Sequence, residues 1–325
     1  MKVLYGCFRN SAKWIMSGFV LLTALTAEAQ KEAQFSQFTF HQLYFNPATA
    51  GKDNLTRVGV TYRSQYAGYR PTYFDKGGGP ASQIITASLP LGKFGVGVYV
   101  LNDKIGALSQ QDLQISVAYK LTLSNGNLSI GARGGLYRQT MDYGQLRTEM
   151  PDDPLILTGK VSEMQPDFSV GAHYESDVFY LGASAAHLTK PGFKLGSETA
   201  TNPLSSVYYL NAGAYLSAGY MLEVQPVVLA KMVPGAFSAE GGALVTYDQR
   251  FFGGLTYRYQ DAIAIVHAGA YLFSDQAFRL SGAYDVVARG NKAKTPTSFE
   301  VMLSYAFGRQ GGGQKSIIRT PRFRF

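Results

Sequence analysis

Between Thr56 and Phe307 apolar side chains recur at every second position in runs of about ten residues, and each run closes on Gly, Pro, Asn, Asp or Ser. In Ser298 to Phe307 the residues Phe299, Val301, Leu303, Tyr305 and Phe307 share one face, and Ser298, Glu300, Met302, Ser304 and Ala306 share the other. The split recurs in Leu113, Ile115, Val117 and Tyr119 against Gln114, Ser116, Ala118 and Lys120, and in Phe278, Leu280 and Tyr284 against Arg279, Ser281 and Asp285. Period two predicts strands near 56–66, 81–90, 93–101, 111–121, 127–138, 167–175, 178–187, 206–217, 220–231, 237–247, 250–259, 262–273, 276–287 and 298–307.

A soluble sandwich shares such alternation, since its strands also have one wet face. The connections separate the two folds. Short turns such as Leu91-Gly92, Ser176-Asp177, Ala218-Gly219, Asp248-Gln249 and Ser274-Asp275 alternate with longer loops near 67–80, 102–110, 139–166, 188–205, 232–236 and 288–297. Gln260-Asp261 is the one short exception among the latter. Outer-membrane barrels sort their loops this way, with an even strand number that leaves both termini in the periplasm. The chain therefore reads as a transmembrane antiparallel β-barrel of about fourteen strands, residues 56–307, in the cell outer membrane.

The flanks agree with export. Lys2, Arg9 and Lys13 precede an apolar run from Trp14 to Leu25, and Ala27-Glu28-Ala29 offers small residues for cleavage, so residues 1–29 read as a signal peptide. Cys7 is the only cysteine and lies in that segment, which leaves no disulfide framework or lipid anchor for the mature chain. The formal charge of +8 falls to +6 without the signal and is spread along the chain, giving nucleic acid little to bind. Twenty-two Tyr and twenty Phe fit aromatic girdles at two membrane interfaces.

Catalytic chemistry finds no local signature. Histidines at 41, 173, 187 and 267 are scattered without metal-ligand spacing, and no nucleophile and base share a motif. Asp152 and Asp153 sit between Pro151 and Pro154, which reads as a turn rather than a cation site. Neither a metal nor a cofactor is expected.

The inward face is more informative. Arg63, Lys120, Arg133, Lys231, Arg258 and Arg279 take inward positions, with Glu175, Glu223, Glu240, Asp285 and Glu300 as counter-charges. Some fourteen strands are too many for wall side chains alone to fill, so a plug or a pore must follow. Residues 30–55, irregular and ending in Asn46-Pro47, either re-enter the lumen as a plug or lie as a periplasmic arm. If they re-enter, Asn46, Pro47, Arg63 and Gln65 are the expected contacts, with the Arg63 guanidinium bonding carbonyls freed by the turn at Pro47. Residues 308–325 form a tail, expected in the periplasm, that is frayed or docked through its Ile, Phe and Arg residues.

The segment NPATAG, then TYRSQYAGY, LNDKIGAL, MPDDPLI, PDFSVGAHYESDVFYLGASAAHL, YRYQDAIAIV, SFEVMLSYAFG and a closing TPRF resemble, in order, the PorP/SprF family of type IX secretion outer-membrane proteins. One departure is Tyr66, where that family usually has Trp. The resemblance implies a non-enzymatic barrel supporting secretion or surface attachment of exported proteins, notably those with a type B C-terminal signal, including gliding adhesins. It also implies type IX components as periplasmic partners. Two other classes stay open on barrel physics: a transporter of small hydrophobic compounds with an N-terminal plug, and a membrane-embedded hydrolase. For partner binding the loop 66–80 offers Tyr69, Arg70, Tyr73 and Phe74, an aromatic and basic mix of the kind that forms hot spots; the alternative is an aromatic girdle end with a flexible Gly77-Gly78-Gly79 tip.

Overall fold

The computed structural model describes residues 32–53, 55–67, 79–146, 159–196, 202–273, 277–287 and 298–308. Fourteen strands form the wall: β1 Thr56–Ser64, β2 Ala81–Leu91, β3 Phe94–Ile105, β4 Leu108–Leu123, β5 Gly126–Asp142, β6 Lys160–Glu175, β7 Phe179–Ala186, β8 Val207–Ala214, β9 Leu222–Val233, β10 Ala236–Tyr247, β11 Phe251–Arg258, β12 Ile263–Leu272, β13 Phe278–Val287 and β14 Ser298–Phe307. Strand β8 resumes after Tyr215 as Leu216–Ala218. Every neighbouring pair is antiparallel, and β1 closes on β14 from Thr56 opposite Phe307 to Ser64 opposite Phe299. Closure leaves no free sheet edge around the ring, the condition for a sheet to sit in hydrocarbon.

The phase of the walls follows the sequence pattern. In β14 the odd residues are between 37% and 46% exposed, whereas the even ones are at most 5% exposed. Leu113, Ile115 and Val117 of β4 and Leu280 and Tyr284 of β13 likewise face outward. The barrel surface is thus an apolar band, and the polar side chains point into the lumen.

Several strands run longer than their apolar pattern. The expected loop 102–110 is a two-residue hairpin at Gly106-Ala107, where Gly106 adopts φ 61°. The expected loop 232–236 shrinks to Pro234-Gly235, and β5 and β6 lengthen until the loop between them spans 143–159. Asp103, Gln110 and Gln139 lie in these extensions and are buried inward. Polar lumen residues were therefore counted as loop by a pattern that looks for apolar ones.

The wall has one step. β6 pairs with β7 only from Val170 to Glu175, so residues 160–169 project beyond that neighbour. The segment after β7 covers this edge: Leu188 donates its amide to the Phe168 carbonyl at 2.9 Å, and a short ladder joins Gly192–Phe193 to Asn202–Pro203. Phe193, Leu195 and Leu204 pack there against Tyr137. The opposite rim carries the turns after β2, β4, β6, β8, β10 and β12, together with the start of β1 and the end of β14.

Candidate functional site

The chain before β1 is folded inside the barrel. Short turns at Phe38–Phe40 and Pro47–Thr49 flank one helical turn at Gln42–Phe45. The second turn is built locally: Asn46 Oδ1 accepts from the Ala48 amide at 2.9 Å, Pro47 presets the first helical φ, and the Thr49 hydroxyl donates to the Asn46 carbonyl at 2.8 Å. The same Asn46 amide group donates to the Ala172 carbonyl at 2.8 Å and the Ala183 carbonyl at 3.3 Å, tying the turn to β6 and β7. The wall is hollowed to admit it. A Cβ on Gly131 would lie 2.5 Å from the Ala48 amide nitrogen, and one on Gly171 would run into Asn46 Oδ1. Gly182 would meet the Asn46 amide nitrogen at 3.0 Å. Gly131 of β5 thus makes room for the plug backbone and Gly171 of β6 for the Asn46 side chain, while a Cβ on Gly182 of β7 would also run into Asn211 Oδ1 of β8.

The first half of the segment is gripped by charges. Glu300 accepts from the amides of Ser36 at 2.7 Å and Gln37 at 3.1 Å, and His41 Nε2 lies 3.4 Å away. Ser36 donates its hydroxyl to Asp285 at 2.5 Å, and Arg63 bonds that same hydroxyl. Arg63 pairs with Asp285 at 2.7 Å, and Arg258 pairs with Glu240 at 2.7 Å. All five charged groups are buried, so each depends on its partners to offset desolvation.

On the other side Arg133 donates to the carbonyls of Tyr44, at 2.8 Å, and Leu43. Its guanidinium sits 4.9 Å from the Tyr99 ring, whose hydroxyl donates to Asp112 at 2.7 Å. Glu32 accepts from Tyr44 at 3.1 Å and Tyr209 at 3.2 Å and faces His187 Nε2 at 2.6 Å, while His187 Nδ1 is 2.9 Å from Asp167. Burial alone would raise the Glu32 carboxyl, but the facing His187 imidazole, Lys231 and the Tyr44 hydroxyl together outweigh it and hold that group well below the usual carboxylate range. Burial alone would depress His187; the carboxylates of Glu32 and Asp167 raise it instead well above the usual imidazole range. The two form a charged pair. Phe35, Tyr44 and Phe45 complete the seal with Tyr99 and Tyr209.

Of the residues singled out from sequence, Asn46 and Pro47 are buried in the lumen at the wall, and Arg63 points inward against the plug. Arg63 meets Ser36, however, and not the carbonyls before Pro47. Those belong to Arg133, because the segment doubles back and lays residues 43–44 against β5 instead of β1. Gln65 lies just beyond β1, half-buried, and its backbone amide bonds the Pro80 carbonyl at 2.8 Å. Tyr69, Arg70, Tyr73 and Phe74 fall outside the described residues, as do Asp152 and Asp153. The pairing of Glu32 with His187 carries no sequence signal, since Glu32 lies in no periodic run and alternation does not say what the last residue of 178–187 meets. Among the described residues no group of His, Cys, Asp and Glu is arranged to hold a metal ion.

Comparison with solved structures shows the fold alone. The Ralstonia pickettii toluene transporter TbuX superimposes with a TM-score of 0.51 at 12% identity, over 82% of this chain and 92% of that one. The Pseudomonas putida toluene transporter TodX gives 0.50 at 10% identity, over 82% and 93%. No curated protein matches the sequence. A family model described as "Type IX secretion system membrane protein PorP/SprF" matches residues 27–305, the plug and nearly the whole barrel together.

Proposed function

Because the chain belongs to the PorP/SprF family of type IX secretion system membrane proteins, we propose that it is a non-enzymatic outer-membrane platform that supports secretion or surface attachment of exported partner proteins. Substrates with a type B C-terminal signal, gliding adhesins among them, are the partners proposed, along with type IX components on the periplasmic side. The observation that carries the reading is the family match, and the plugged lumen supports it. A folded segment pinned to both halves of the wall suits a protein that works through its rims better than one that conducts solutes through its centre. The toluene transporters share the barrel architecture at a sequence identity that brings none of their ligands to this chain.

Partner docking is assigned to the loop that follows β1, through Tyr69, Arg70, Tyr73 and Phe74, because clustered aromatic and Arg side chains dominate interface energetics. The test is a strain in which these four are replaced by Ser. The barrel should reach the outer membrane at normal level while surface retention of the exported partner falls, as read by mass spectrometry of what co-purifies. Unchanged retention would shift docking to the loop between β5 and β6 or to the opposite rim.

A further inference from the structure

Beneath the plug, on the rim where β1 starts and β14 ends, a cavity of about 470 Å³ opens outward. Three cations line it: Lys52, Arg57 and Arg279. Two have carboxylates of their own, since Lys52 lies 3.7 Å from Glu175 and Arg57 3.0 Å from Asp53. Arg279 has none among the described residues. Its contacts are the Phe40 ring, 4.0 Å from the guanidinium carbon, and the Met302 sulfur at 3.7 Å, and Tyr271 stands opposite it on β12. Its Nε is buried without a partner, and the side chain is 5% exposed.

A buried guanidinium normally sits against a carboxylate, because desolvating an unpaired charge costs more than an aromatic face and a thioether return. Here the missing counter-charge faces an open cavity. We propose that Arg279 anchors a binding site for a carboxylate monoanion in this vestibule. Stacking on Phe40 fixes the plane of the guanidinium and leaves its edge to form paired N–H···O bonds with a planar carboxylate. A phosphate dianion fits less well, because the three cations of the cavity already stand among three lining carboxylates, Asp53, Glu175 and Glu223, and a second negative charge finds no further cation. Phe40, Leu43 and Tyr271 supply an apolar wall, so the favoured ligand carries its carboxylate on an apolar body, as a peptide with a free C-terminal aromatic residue does. The site is independent of which exported protein docks at the far rim.

The experiment is calorimetric titration of the full barrel in detergent with N-acetyl-glycyl-phenylalanine, with its C-terminal amide, and with inorganic phosphate. The free acid should bind at least tenfold more tightly than the amide. Arg279→Gln should abolish that difference, while Glu223→Gln, which takes a negative charge out of the same cavity, should not reduce it. Equal binding of acid and amide by the unaltered protein overturns the proposal, and this comparison needs no variant to fold. Binding of phosphate without binding of the acid overturns it as well, as does an Arg279→Gln barrel that still prefers the acid.

Discussion

At the scale of single residues, Asn46 does two jobs with one side chain, capping its own turn and bonding two wall carbonyls. Losing the cap costs about 1 kcal/mol and exposing buried polar partners adds about as much again. Asn46→Ala should therefore loosen residues 42–50 by about 2 kcal/mol, seen as roughly thirtyfold faster amide hydrogen exchange in that segment. Gly171→Ala should do the same by crowding Asn46 from the wall side. Gly253→Ala is the control, because its Cβ would meet only the His267 carbonyl oxygen, at an ordinary 3.5 Å. Equal exchange in all three variants would mean that the turn is not what holds the plug. Sequence made part of this legible: Asn-Pro marked a turn, and inward phase marked Arg63 and Arg133. Which strand the turn would meet was not legible, because Asn46 and Ala172 are brought together only by the completed ring.

Among the elements, β14 is the most regular. Its outward face sits in a two-sided environment where every second residue must be apolar, which is why phase could be read from sequence without error there. Strand ends were harder to read, since the ends of β3 to β6 keep their hydrogen-bond ladders while their inward residues turn polar. Depth along the strand gives the sharpest test. Leu303→Arg, near the middle of β14, should cost about 2–4 kcal/mol of barrel stability in bilayers, and Phe307→Arg at its end about 0–1 kcal/mol. Urea unfolding from lipid vesicles measures both. Equal costs would place the hydrocarbon band elsewhere on the strand.

For the whole molecule, plug and wall share one polar interior. Arg63, Asp285 and Glu300 are buried only because residues 36–41 lie over them, so removing the segment exchanges a dry network for a water-filled bore. A barrel lacking residues 32–53 should pass steady ionic current in planar bilayers where the intact protein passes little. It should also lose its folded, fast-migrating band in unheated gels at a lower temperature. Equal currents would show that the plug does not seal the lumen. The ring itself was legible from period, turns and strand number, and the bore was foreseeable as something to be filled. That the filling is gripped from both sides was not foreseeable, because charged wall residues have many partners compatible with the same alternation.

The grip on Ser36 and Gln37 also has a temporal meaning. Their amides meet Glu300, 264 and 263 residues further along the chain, in the strand that closes the ring against β1. This part of the plug therefore waits for the last strand before these hydrogen bonds are made. Until then residues 32–45 have no complete binding surface, and β1 has only one neighbour. Sealing of the barrel seam and locking of the first half of the plug coincide, so an assembly intermediate stalled before β14 is open along its side and holds only the half of the plug that meets β5 to β8.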